Sequence, residues 1–129
     1  MAELVLDSSV LLALFDGQDA LHQRAATALA RRRRAGAVPI LPAVVLAEVL
    51  VGAARLGALE ARREQVRATG APLVPVDEPV AVGAARLRAE HPGLRLPDAL
   101  VLATAQLRDA DVLTGDQRWE RYYDRVEVV

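Results

Sequence analysis

Short β-rich runs alternate with longer helix-periodic segments along this chain, and that alternation restricts it to an α/β fold of βαβ units around a parallel sheet. Residues 3–7 read as a first buried strand, and Ser8 and Ser9 offer caps for a short helix over 10–15. A second helix is expected over 20–34, with Gly36 as its stop. Residues 37–41 supply a second strand, and Pro42 can open a helix to 56 that Gly57 breaks before another over 58–68. A third strand is expected at 73–76, followed by a helix from Asp77 or Glu78 to the neighbourhood of His91 and Pro92. Pro97 and Asp98 open a further helix to 109, residues 111–114 form a short strand, Gly115-Asp116 turns after it, and 126–129 are a last strand.

With 129 residues, 53% of them hydrophobic, the chain can bury one sizeable core but is too short for two ordinary domains. The expected architecture is therefore a single domain over 1–129, a central parallel β-sheet flanked by α-helices. The net charge of -1 rules out a generally basic surface, so any affinity for nucleic acid has to come from a local patch. Cysteine is absent, which excludes disulfides, thiolate nucleophiles and sulfur-ligated zinc. All 16 basic residues are arginine, which excludes Schiff-base and phosphate-loop lysines. Acids stand near the amino end where a secretory signal carries basic residues, and no apolar stretch reaches the roughly 18 residues of a membrane span. The expected compartment is the cytoplasm.

Four acids carry the functional signal. Asp7 follows a strand and precedes a helix, Asp98 lies at a helix start, and Asp116 follows Gly115 in a turn. Capping, complementing a helix dipole and ordinary turn chemistry would account for each of these alone. Glu48 is different: it sits in mid-helix, and Val44, Val45, Val51 and Gly52, its neighbours three and four residues away, offer no basic partner. A carboxylate in so apolar a setting costs several kcal/mol, roughly, unless a hydrogen bond, a counter-ion or a metal compensates it. Asp7, Asp98 and Asp116 also fall at junctions of the kind that line ligand crevices in open parallel sheets. If the segments are neighbours, the carboxylates repel one another unless a cation lies among them, and oxygen-only ligation selects Mg²⁺ or Mn²⁺ over zinc.

Four segments, taken in order, resemble the PIN-domain ribonuclease family and, within it, the VapC-type toxins of bacterial toxin–antitoxin pairs. They are Leu6-Asp7-Ser8-Ser9-Val10-Leu11, Glu48 in its apolar helix, Leu96-Pro97-Asp98-Ala99-Leu100 with Ala103-Thr104-Ala105, and Leu113-Thr114-Gly115-Asp116. The resemblance implies a PIN-like sheet flanked by helices, magnesium at Asp7, Glu48, Asp98 and Asp116, and endonucleolytic RNA cleavage. It further implies accessory hydroxyls at Ser9 and Thr114, a homodimer, and a cognate antitoxin that covers the acidic pocket.

Arg31, Arg32, Arg33 and Arg34 read as solvated arginines complementing a helix carboxyl end, with an RNA phosphate contact as the sharper alternative. Arg118, two residues beyond Asp116, is the better candidate for RNA contact, unless it pairs with the neighbouring acid. With 3% aromatic residues, extensive base stacking is excluded. Trp119, Tyr122 and Tyr123 are expected in core or dimer contacts, and His22 and His91 at the surface. Two rival functions remain. A receiver-like phosphotransfer domain would need a second acid beside Asp7 and a lysine, whereas Ser8 and Ser9 follow and lysine is absent. A non-catalytic PIN-like RNA- or protein-binding module has no need of all four acids.

Overall fold

The structure, a computed structural model, describes residues 2–129. Its strands are β1 (Glu3–Leu6), β2 (Val38–Pro42), β3 (Leu73–Val74), β4 (Asp111–Thr114) and β5 (Val126–Val128). The helices are α1 (Ser8–Phe15), α2 (His22–Arg34), α3 (Ala43–Arg55), α4 (Leu59–Ala68), α5 (Glu78–Glu90) and α6 (Leu96–Leu107), and a 3-10 helix spans Gln117–Arg121. Among the described residues, no helix is long and apolar enough to cross a membrane.

All strand pairings are parallel, in the order β3-β2-β1-β4-β5. The chain leaves central β1 for β2 and β3 on one side and later returns for β4 and β5 on the other. The order thus reverses between β1 and β4, and a reversal of this kind opens a crevice beyond the carboxyl ends of the strands. Val5 and Leu6, which point to opposite faces of β1, are both fully buried, so both faces of the sheet are covered. Each such side chain contributes about 1.5–3 kcal/mol through its removal from water. Helix α6 buries Ala99, Val101, Leu102, Ala103, Thr104 and Ala105, leaving little of its circumference to solvent. It touches β1, β4, α3 and α5, so its first turn, which carries Asp98, is fixed relative to the end of β1.

Several boundaries depart from the sequence expectation for identifiable reasons. Helix α1 begins at Ser8, so Ser8 and Ser9 lie inside it and cap nothing; Asp7 holds the N-cap position without a side-chain capping bond. Pro42 is the last residue of β2, and α3 starts one residue later. Strand β3 stops at Val74 because Pro75 has no N–H with which to continue a ladder. Gly36 ends α2 as expected, with φ +93.

The arginine run is a solvated cap only in part: Arg31, Arg33 and Arg34 are exposed, while Arg32 is half-buried. Arg32 donates to Asp111 Oδ2 at 2.6 Å and to Glu127 Oε1 at 2.8 Å, and Arg31 pairs with the same glutamate. Arg33 donates to the Thr69 carbonyl at 3.1 Å, while Arg34 is exposed. Helix α2 is thereby tied to β4 and β5. Burial pushes Asp111 up, but the guanidiniums of Arg32 and Arg125 outweigh it and hold the carboxyl below the usual aspartate range. Trp119 is buried and the Tyr123 hydroxyl donates to the Ala110 carbonyl at 2.7 Å, as expected of core residues. The histidines are half-buried rather than free at the surface. His22 Nδ1 donates to the Ala13 carbonyl at 2.7 Å, and the His91 ring meets Tyr122 edge-on, with centroids 5.0 Å apart.

Candidate active site

Asp7 leaves the end of β1 only 5% exposed, yet its carboxylate does not cap α1. Its Oδ2 accepts from Ser9 Oγ and from Thr114 Oγ1, both at 2.8 Å. Each hydroxyl is itself held by a backbone N–H: Gly115 donates to Ser9 at 2.9 Å and Asp116 to Thr114 at 3.1 Å. The turn after β4 therefore directs two amide dipoles through two hydroxyls onto one carboxylate oxygen. Charge-assisted bonds of this kind are about twice as strong as neutral ones and fix the orientation of the group. The other oxygen, Oδ1, has only the Ser8 hydroxyl at 3.5 Å, beyond normal O–H···O length. Gly115 permits the arrangement. A Cβ there would lie 2.7 Å from Leu21 Cδ1 and 3.3 Å from Ser9 Oγ.

Glu48 on α3 and Asp98 on α6 complete an acidic group with Asp7. Burial pushes the Glu48 carboxyl up, the charges of Asp7 and Asp98 add to this, and Arg95 and the Ser8 hydroxyl offset part of it. Asp98 is also pushed up, first by burial, with Asp7 and Asp116 adding and Arg95 and Arg118 opposing. Three separate segments thus place mutually repelling carboxylates where the strand order reverses. The side chains of Glu48 and Asp98 are 28% and 15% exposed, so water screens the repulsion incompletely.

Asp116 belongs to the same neighbourhood, but its oxygens are engaged. Arg118 donates Nε to Oδ1 at 3.0 Å and Nη2 to Oδ2 at 2.7 Å, and its backbone N–H donates to Oδ1 at 2.9 Å. This guanidinium holds the Asp116 carboxyl below the usual range. The pairing weighed in the sequence reading of Arg118 is therefore present. Arg95 was not apparent from sequence: it precedes α6 and stands 3.8 Å from both Glu48 Oε2 and Asp98 Oδ2. Its link to Glu48 is non-local, so no helical spacing rule signals it; its place three residues before Asp98 was the available hint.

With the side chains as they stand, no three His, Cys, Asp or Glu residues among those described are close enough to hold one ion. Arg118 engages Asp116, and Arg95 lies beside Glu48 and Asp98. The donor chemistry nevertheless fits a hard divalent cation. Every donor is oxygen, Asp7 keeps one carboxylate oxygen short of partners, and burial together with nearby negative charge disfavours the ionised forms of Glu48 and Asp98.

The fold has close counterparts among solved structures. A toxin–antitoxin complex from Klebsiella pneumoniae matches with a TM-score of 0.76 at 24% identity, covering 96% of this chain and 95% of that one. VapBC2 from Rickettsia felis, solved with a DNA fragment from its promoter, gives 0.77 at 14% identity, covering 98% of each chain. VapC20 from Mycobacterium tuberculosis, described as a Sarcin-Ricin loop cleaving toxin, gives 0.70 at 18% identity over 84% of this chain and 86% of that one. A comparison with curated protein sequences found no match. At these identities the structural likeness establishes the fold, and the sequence match carries the assignment further: the PIN domain model fits residues 4–125, so the chain belongs to the PIN domain family.

Proposed function

We propose that this protein is a metal-dependent endoribonuclease of the VapC type, the toxin of a toxin–antitoxin pair acting in the cytoplasm. The observation that carries the reading is Asp7, a buried carboxylate oriented by two hydroxyls with Glu48 and Asp98 charge-coupled beside it at the sheet's reversal point. Two of the similar structures support it by description, one as a toxin–antitoxin complex and one as a toxin that cleaves the Sarcin-Ricin loop.

Asp7, Glu48 and Asp98 would hold Mg²⁺ or Mn²⁺, with Asp116 as the fourth acid once its arginine turns away. The chemistry such a cation supplies when bound is polarisation of a phosphoryl oxygen and a lowered pKa for a bound water. The protein contributes placement. Ser9 and Thr114 keep the Asp7 carboxylate in one orientation, α3 and α6 bring Glu48 and Asp98 to it, and the covered sheet excludes bulk water from one side. Hydrolysis of this class needs no RNA 2′-hydroxyl and leaves a 5′-phosphate. The partners are RNA, a cognate antitoxin that covers the acidic cleft, and a second copy of the chain in a homodimer.

The test is cleavage of RNA by purified protein with and without Mg²⁺ or Mn²⁺, together with growth on induction. Asp98→Asn should lower the cleavage rate by more than about a hundredfold, beyond the loss typical of a ligand's outer partner. Asp7→Asn should abolish growth arrest. A non-catalytic binding module would retain arrest in Asp7→Asn, and wild-type protein that leaves RNA intact in both metals would remove the nuclease reading.

A further inference from the structure

A small cleft between the start of α6 and the 3-10 helix is lined by Arg95, Asp98, Asp116 and Arg118. The two arginines enter it from different elements, and both are about two-thirds exposed, at 64% and 65%. Arg118 is engaged bidentately by Asp116, and Arg95 rests 3.8 Å from two of the other acids. Arg118 therefore occupies the Asp116 oxygens, and Arg95 lies beside those of Glu48 and Asp98, that the nuclease reading assigns to a cation. Exposed ion pairs hold their partners weakly, whereas several carboxylates converging on a divalent cation hold it well. A displaced guanidinium remains tethered within a side chain's reach of the cleft, with its positive charge unmatched. The next anion available is the backbone phosphate of an RNA strand, whose paired oxygens suit the guanidinium fork as a carboxylate's do.

We propose that Arg95 and Arg118 are exchangeable partners of the acidic cleft: each yields its carboxylates to the divalent cation and then binds the phosphate backbone of the strand to be cut. The inference rests on the nuclease reading and assigns the substrate contact within it. It makes cation and RNA cooperative, because the cation releases the groups that grip the strand. It also explains why a site that must receive a polyanion keeps Arg95 and Arg118 beside acids.

The experiment measures Mn²⁺ binding by titration calorimetry, and binding of a labelled single-stranded RNA in Ca²⁺, for wild type, Arg95→Gln, Arg118→Gln and Arg121→Gln. Thermal melts verify folding in each case. Arg121 is exposed on the same 3-10 helix and does not line the cleft, so it controls for simple loss of charge. The expected result has opposite signs. Mn²⁺ binds about two- to fivefold more tightly in Arg95→Gln and Arg118→Gln, the size expected for removing an exposed competing ion pair. RNA binds more weakly, with the salt slope shallower by roughly 0.7 per arginine removed. Unchanged or weaker Mn²⁺ binding in both variants, unchanged RNA binding, or the same changes in Arg121→Gln would overturn the proposal. Wild type that binds Mn²⁺ and cuts RNA while the arginine variants match it overturns this inference alone. Wild type that binds no Mn²⁺ and leaves RNA intact overturns the nuclease reading with it.

Discussion

Replacing Thr114 with valine isolates what orients the acidic centre. Thr114 is fully buried at the end of β4, and valine matches its size and its preference for strands, so the exchange opens no cavity. What disappears is one hydroxyl that donates to Asp7 Oδ2 at 2.8 Å and accepts from the Asp116 N–H at 3.1 Å. A hydrogen bond to a charged group contributes about 1.5–3 kcal/mol, and the stranded N–H adds less because Asp116 is only partly buried. The expected destabilisation is about 2–3 kcal/mol, a melting-temperature drop of roughly 6–12 °C for a domain of this size. Thr114→Ser keeps the hydroxyl and loses a methyl group, costing about 1 kcal/mol of packing, and should preserve Mn²⁺ binding where valine weakens it. The decisive assay is a double-mutant cycle with Asp7→Asn, read by urea unfolding. Coupling of about 1.5 kcal/mol or more is expected for one shared bond. Single effects that add to within about 0.5 kcal/mol would refute the claim that Thr114 acts through Asp7.

Two further predictions concern pH and the turn after β4. Glu48 and Asp98 are pushed above their ordinary values, so as pH falls from neutrality the native state takes up their protons before the unfolded chain does and stability rises, down to about pH 4–4.5. Asp111 and Asp116 are held low, so their contribution is complete above about pH 4 and is lost as pH falls through their native values. Melting curves across pH should show both limbs, and the Glu48→Gln, Asp98→Asn double variant should flatten the first while sparing the second; a first limb of unaltered slope would sink this assignment. Gly115→Ala would push a methyl group against Leu21 and the Ser9 hydroxyl. Mn²⁺ affinity should fall by about tenfold, as when a ligand's supporting partner is lost, and calorimetry showing wild-type affinity would contradict the role given to the Ser9 bridge.

The strand and helix order was legible because burial on both faces of the sheet writes continuous apolar runs into the strands, and because Gly36 marks a left-handed helix end. Glu48 was legible as well: an acid with no local basic partner in an apolar helix implies something distant, and Asp7 and Asp98 lie there. What sequence could not show were pairings across long separations. Arg32 reaches Asp111 and Glu127 from 79 and 95 positions away, which makes a brace of one member of an otherwise exposed run. Arg95 meets Glu48 through the crossing of α3 and α6, which no one-dimensional spacing encodes. Ser8 and Ser9 looked like caps because serine before a helix usually is one; a buried carboxylate immediately upstream was the stronger acceptor for Ser9.

The bond from Thr114 to Asp7 spans 107 positions of the chain. Ser9 stands two positions from Asp7 and can bond it as soon as α1 forms, whereas Thr114 reaches it only once β4 has paired with β1. A fragment ending before that strand keeps the Ser9 bond and lacks the one from Thr114, so the full orientation of this carboxylate belongs to the long-range fold rather than to its own segment.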